Sequence, residues 1–166
     1  VSYMAKHVSR VRVLIAPGNH DWQVSKLFAR ILAAYYSKCE TVEVLRSPQP
    51  RYYVQYGTNL LGFAHGDKPR AQDWAMLMAT ECPDLWAQTK HRHWHLGHVH
   101  HSKRMVSQDL GEHNGVSAEF LGALCGTDAY HMDNGYVGTN RRIEGFLWHA
   151  DLGLRSRMVR YAEELL

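Results

Sequence analysis

The sequence predicts a layered α/β domain with at least one mixed β-sheet. Three observations predict it. Short apolar runs rich in β-branched residues stop at glycine, one long segment with helical apolar spacing lies between the first two such runs, and strand-like segments dominate the second half. The 166 residues make one domain's worth of chain, read as a single unit over 1–166. Hydrophobic residues at 45% and charged residues at 21% are the balance of a chain that buries a core, which excludes a disordered class. No apolar stretch approaches the roughly 20 residues that span a bilayer, and no basic start followed by an apolar run marks a secretory signal. The expectation is a cytoplasmic protein without a membrane partner. Cys39, Cys82 and Cys125 are odd in number and widely spaced, and read as reduced, buried thiols.

Taken in order, Ser2 to Val8 reads as the end of a helix. Val11 to Ala16 is a buried strand that runs straight into Pro17-Gly18, a tight loop. Val24 to Tyr36 repeats apolar residues at helical spacing, an amphipathic helix, and Thr41 to Leu45 alternates as a half-buried strand. Tyr52 to Tyr56 and Asn59 to Ala64 predict a hairpin joined through Gly57. Pro69 to Thr80 predicts a helix with Trp74, Leu77 and Met78 on its apolar side. His93 to Leu96 is a buried strand ending at Gly97, and Lys103 to Gln108 and Val116 to Leu121 are strands flanking a turn at His113-Asn114-Gly115. Gly126 to Asn140 reads as a loop with a short helix, and Arg142 to His149 with Leu154 to Arg160 closes the chain as a hairpin across Asp151-Leu152-Gly153. Repeats, low-complexity tracts and linkers are absent.

A net charge of +3 fits a phosphate-bearing substrate without selecting one. Twelve histidines are many for this length, and histidine is the commonest metal ligand. Three stretches gather polar groups after a strand. Pro17-Gly18-Asn19-His20-Asp21 presents an amide oxygen, an imidazole and a carboxylate where α/β sheets bind ligands; the same residues also read as a helix cap, at even weight. Phe63-Ala64-His65-Gly66-Asp67 repeats that arrangement. In His95-Leu96-Gly97-His98-Val99-His100-His101, an extended backbone past Gly97 points His98 and His100 to one side, which suits zinc, manganese or iron. His91, His93 and His95 alternate within or before the strand and read as surface or packing residues.

Asn-His-Asp after Pro-Gly, a strand-ending His-Gly and then Gly-His-x-His resemble, in order, the third, fourth and fifth motifs of the calcineurin-like metallophosphoesterases. The resemblance covers about the first hundred residues and is nearest to the branch of DNA-repair exonucleases and related phage phosphoesterases. It implies a metallophosphoesterase-type sandwich of mixed β-sheets flanked by helices, and hydrolysis of phosphate mono- or diesters, nucleic acid among the candidate substrates. Two divalent ions (Mn2+, Fe2+ or Zn2+) polarise the phosphoryl group in that family. Carried over, Asn19, His65 and His98 bind the second metal and His100 the first, while His20 acts on the phosphate or leaving oxygen and Asp21 holds its ring.

The family's Asp-x-His and Gly-Asp motifs have no counterpart before Asn19, so the chain reads as N-terminally truncated and is expected to show little activity alone. Asp67 and Asp73 are the nearest carboxylates to replace the missing ones, though nothing in the spacing favours them. Two competing classes stand beside the enzyme. One is a nucleic-acid-binding module that grips phosphates with Arg51, Lys68, Arg70, Lys90, Arg92, Lys103 and Arg104 and stacks bases on Tyr52, Tyr53, Trp74, Trp86 and Trp94. The other is a histidine-rich structural zinc domain, disfavoured because no cysteine lies near the histidine cluster. His113, Asp128, His131 and Asp133 are candidates to line a substrate cleft.

Overall fold

The computed structural model describes residues 1–70, 73–98, 109–124, 132–133 and 141–165. The chain divides into two compact units, Val1–Tyr52 and Tyr53–Leu166.

In the first unit a short 3-10 turn, Met4–Lys6, precedes strand β1 (Val11–Val13), helix α1 (Trp22–Tyr35) and strand β2 (Val42–Val44). β1 and β2 pair in parallel, Val11 opposite Val42 and Val13 opposite Val44. This is the β-α-β order that the β-branched run and the helical spacing predict, with β1 shorter than expected. Asp21 occupies the N-cap position of α1, and its main-chain carbonyl accepts the Ser25 N–H at 2.8 Å. Its carboxylate accepts the Gly18 N–H at 2.6 Å and the Ser25 hydroxyl at 2.9 Å, tying loop to helix. The amphipathic helix is present, but its orientation is the reverse of the usual one. Ser25 and Ala29 are buried, whereas Val24, Leu27, Phe28, Ile31 and Tyr35 are each more than half exposed. Two three-residue strands offer too little surface to cover an apolar stripe of that length.

The second unit holds a five-stranded sheet in the order β3-β4-β5-β7-β6, from β3 (Arg51–Tyr56), β4 (Asn59–Ala64), β5 (His91–Leu96), β6 (Asp109–His113) and β7 (Val116–Phe120). β4, β5 and β7 run parallel and β6 antiparallel to β7, so the sheet is mixed as expected. The β6–β7 connection is the two-residue Asn114-Gly115 turn, both at positive φ (53° and 73°), the geometry a tight hairpin favours. The strand expected over 103–108 lies outside the described residues, as does most of the loop expected over 126–140. Gly57, at φ 55°, turns β3 into β4 where any Cβ would collide with the main chain of Ala150.

Alternation gives this sheet two distinct faces. One carries Leu60, Ala64, Trp94, Leu96, Val116 and Ala118, and packs with Trp74, Ala75 and Met78 of helix α2 (Trp74–Glu81). Helix α2 starts five residues later than the sequence suggests. A second helix that the sequence reading lacked, α3 (Pro83–Gln88), follows with proline in its first turn, a position where the missing N–H costs nothing. Trp74 and Trp94 are almost wholly buried with centroids 4.8 Å apart, and the Trp94 indole N–H donates to the Trp74 carbonyl at 3.0 Å. Burying each such ring contributes about 1.5–3 kcal/mol to the stability of this face.

The opposite face carries Asn59, His91, His93, His95 and Glu119 and meets the hairpin of β8 (Arg142–His149) and β9 (Gly153–Tyr161). Fully buried Asn59 pins that hairpin. Its amide nitrogen donates to the carbonyls of Tyr56 (2.7 Å), His149 (2.9 Å) and Ala150 (3.1 Å). The unit is therefore layered as helices, mixed sheet and two-stranded hairpin. Cys39 and Cys82 are free thiols, half-buried rather than fully buried. Among the described residues, no helix is long and apolar enough to cross a membrane.

Candidate functional site

Parallel strands β4 and β5 end side by side at Ala64 and Leu96, so the residues that follow them leave the same carboxyl edge of the sheet. The Gly97 N–H donates to the Ala64 carbonyl at 3.3 Å, closing the two strand ends together. His65 is half-buried there and Gly66 turns away at φ 94°, a left-handed angle that favours glycine. His98 follows Gly97 at φ 73°, a left-handed conformation that a histidine adopts only at a cost of about 1–2 kcal/mol. The backbone past Gly97 is therefore not extended at His98, and the expected pairing of His98 with His100 falls outside the described residues. The turn instead brings His98 Nδ1 to 3.0 Å from His65 Nε2, with ring centroids 4.8 Å apart. Two of the three histidines predicted to bind metal thus meet, from positions 33 residues apart.

The two rings are hydrogen-bonded to each other, and the separation of their nitrogens is also one that a shared ion accepts. Ligands at about 2.1 Å from a divalent ion lie about 3.0–3.5 Å from one another when adjacent in its coordination shell. The donors are the nitrogens that zinc, manganese and iron accept.

Asn19, His20 and Asp21 are exposed and belong to the first unit, at the turn into α1. Of the two sequence readings of this stretch, the helix cap is the one the structure shows, since Asp21 organises the start of α1 through the Gly18 N–H and the Ser25 hydroxyl. Asp67 is half-buried, and Asp73 sits at the N-cap position of α2 with its Oδ2 3.3 Å from the Arg70 N–H. His113 and Asp133 are exposed, and Asp128 and His131 lie outside the described residues. The rings offered for base stacking are largely engaged. Tyr52, Trp74 and Trp94 are buried, Tyr53 and Trp86 pack against the helix-side core, and the Arg92 guanidinium lies 3.9 Å over Trp86.

A second constellation involves two histidines that the sequence reads as surface or packing residues. His93 and His95 are buried on β5, and Glu119 of β7 lies beside them, its Cα paired with that of His95. His93 Nε2 is 2.7 Å from Glu119 Oε1, and His95 Nδ1 is 3.8 Å from the same oxygen. The three ligand atoms all lie within 4.8 Å of one another, so this group can hold a metal ion. Glu119 Oε2 accepts from Arg157 Nη1 at 3.1 Å. Arg157 also pairs with Glu144, whose side chain is 1% exposed and which accepts from Arg142 at 2.8 Å and the Gly122 N–H at 2.9 Å. Burial opposes ionisation of Glu144, but the Gly122 N–H and the Arg142 and Arg157 guanidiniums outweigh it and hold its carboxyl below the usual range.

His95 contrasts with these paired groups. Packed against Phe63, His93, Phe146 and Trp148, it has a pKa pushed down to about 3, first by burial and then by His93 and Arg157, against the pull of Glu144. The ring is neutral at physiological pH, and its Nδ1 has no hydrogen-bond partner among the described residues. A buried polar atom left so costs about 1–3 kcal/mol. A cleft of about 650 Å³ reaches the group, with Lys90, His93, Ser117, Glu119, Trp148 and Arg157 among its walls. The available signal was the His-x-His-x-His alternation, which puts the rings on one face. Glu119 as their partner was not visible, because nothing local links it to position 95.

Comparison with protein-family models, curated proteins and solved structures returned no match for this chain.

Proposed function

We propose that the protein is a metal-dependent phosphoesterase and that this chain supplies two imidazole ligands, His65 and His98, to its metal centre. The observation that carries the reading is their 3.0 Å Nε2–Nδ1 separation at the carboxyl edge of parallel strands, held by a left-handed backbone at His98. A residue held in an unfavourable conformation to face another ligand points to function more than to packing. The resemblance to calcineurin-like metallophosphoesterases contributes the reaction class: hydrolysis of a phosphate mono- or diester on a layered sandwich, with manganese, iron or zinc. Lewis-acid polarisation of a phosphoryl oxygen is the chemistry a bound divalent ion supplies.

In this chain His65 and His98 hold their ring nitrogens side by side, 3.0 Å apart. On the resemblance alone, His100 joins the ligands, Asn19 contributes an amide oxygen, His20 stabilises or protonates the phosphate oxygens, and Asp21 supports that ring. The test is manganese binding by calorimetry and by paramagnetic broadening of histidine ring signals, with hydrolysis of a chromogenic phosphodiester followed in parallel. His65→Ala and His98→Ala are each expected to weaken binding about tenfold or more, since even partners outside the first coordination shell are worth that much. Unchanged binding in both variants would remove the proposal's foundation.

A further inference from the structure

We infer that His93, His95 and Glu119 form a second metal site, for one ion of the zinc class, distinct in its residues from the His65–His98 pair. Two imidazoles and one carboxylate are a ligand set that zinc accepts with a fourth position left open. Three separate features support it.

The first is geometry. Glu119 Oε1 already stands 2.7 Å from His93 Nε2 and 3.8 Å from His95 Nδ1. Ligands around one zinc ion lie about 3.0–3.5 Å apart, so modest ring rotations make all three converge. The second is the unpartnered His95 Nδ1 on a residue only 4% exposed. It is aimed at the same carboxylate oxygen as His93, and coordination would satisfy it. The third is the support around the carboxylate. Arg157 holds Oε2 at 3.1 Å and is itself neutralised by Glu144, which leaves Oε1 oriented toward the histidines. Both His93 and Glu119 line the cleft, which gives the ion a path in and room for a water as fourth ligand.

Without an ion, the His93 N–H can donate to Glu119. On binding, His93 coordinates through Nε2 with its proton on Nδ1, a change of tautomer that accompanies the ring rotations. The site does not rest on the proposed phosphoesterase activity, and its failure is separable from that of the first reading.

Cobalt(II) titrated into the whole chain, after removal of bound metal, is the probe. A low-coordinate site of this kind gives intense visible d–d bands, whereas exposed histidines that pick up cobalt give only pale six-coordinate spectra. The expected result is one equivalent of intense bands, displaced by stoichiometric zinc, retained in the His65→Ala/His98→Ala double variant and lost in Glu119→Gln and His95→Phe. Absence of intense bands from the wild type, or their survival in a folded Glu119→Gln or His95→Phe variant, overturns the site. Disappearance in the His65→Ala/His98→Ala protein would place the ion at the strand ends instead. Should either substitution at the site prevent folding, the wild-type spectrum still decides: X-ray absorption of the zinc form must show two imidazoles and a carboxylate oxygen, and any other ligand set refutes the assignment.

Discussion

Replacing His95 with phenylalanine should flatten the acid sensitivity of the metal-free protein. The folded-state pKa of His95 is pushed down from 6.5 to about 3, chiefly by burial. As pH falls below 6.5 the unfolded chain takes up a proton that the folded chain refuses. The stability associated with a neutral His95 is therefore complete above about pH 6.5 and drains away toward about pH 3. Between about pH 7.5 and about pH 5 the loss is about 2 kcal/mol, and it barely depends on the folded value so long as that stays below about 4. Phenylalanine matches the ring shape among Phe63, Phe146 and Trp148 and does not titrate. Urea unfolding of both proteins at the two pH values, in chelator, measures the difference. Carboxylates such as Glu144 titrate in both and cancel. The wild type should lose about 2 kcal/mol more than the variant. Parallel losses, within about 0.5 kcal/mol, would refute the claim that His95 is buried neutral.

Two further outcomes follow from the geometry. Asn59→Leu keeps the volume but takes the amide donor away from the carbonyls of Tyr56, His149 and Ala150, and should cost about 2–4 kcal/mol in denaturant unfolding, with hydrogen exchange rising first at the β8–β9 turn. His98→Gly relieves the left-handed backbone at φ 73° and should leave thermal stability unchanged or about 1 kcal/mol higher while manganese binding falls, a separation that a purely structural His98 would not produce.

Much of the second unit was legible because its signals are local. β4, the Asn114-Gly115 turn and the closing hairpin each rest on alternation bounded by turn residues, and each lies where that pattern puts it. The strand-ending His65 and the Gly97-His98 step could be read as loop chemistry for the same reason, since a glycine after an apolar run marks the end of a strand. Helix α3 was missed because six residues carry too little periodicity to register.

What the sequence by itself determined is which residues share a face and where each strand stops, because both follow from backbone periodicity and from glycine. It put His91, His93 and His95 on one side of β5 and the ligand-type residues at strand ends. Only the tertiary structure decided what meets those faces. Pairing β7 beside β5 in the register His95↔Glu119 turned two packing histidines into a potential metal group, and the left-handed turn at His98 set it against His65. The outward apolar stripe of α1 is of the same kind. Register and burial depend on contacts between segments far apart in the chain, where no local pattern encodes the partner.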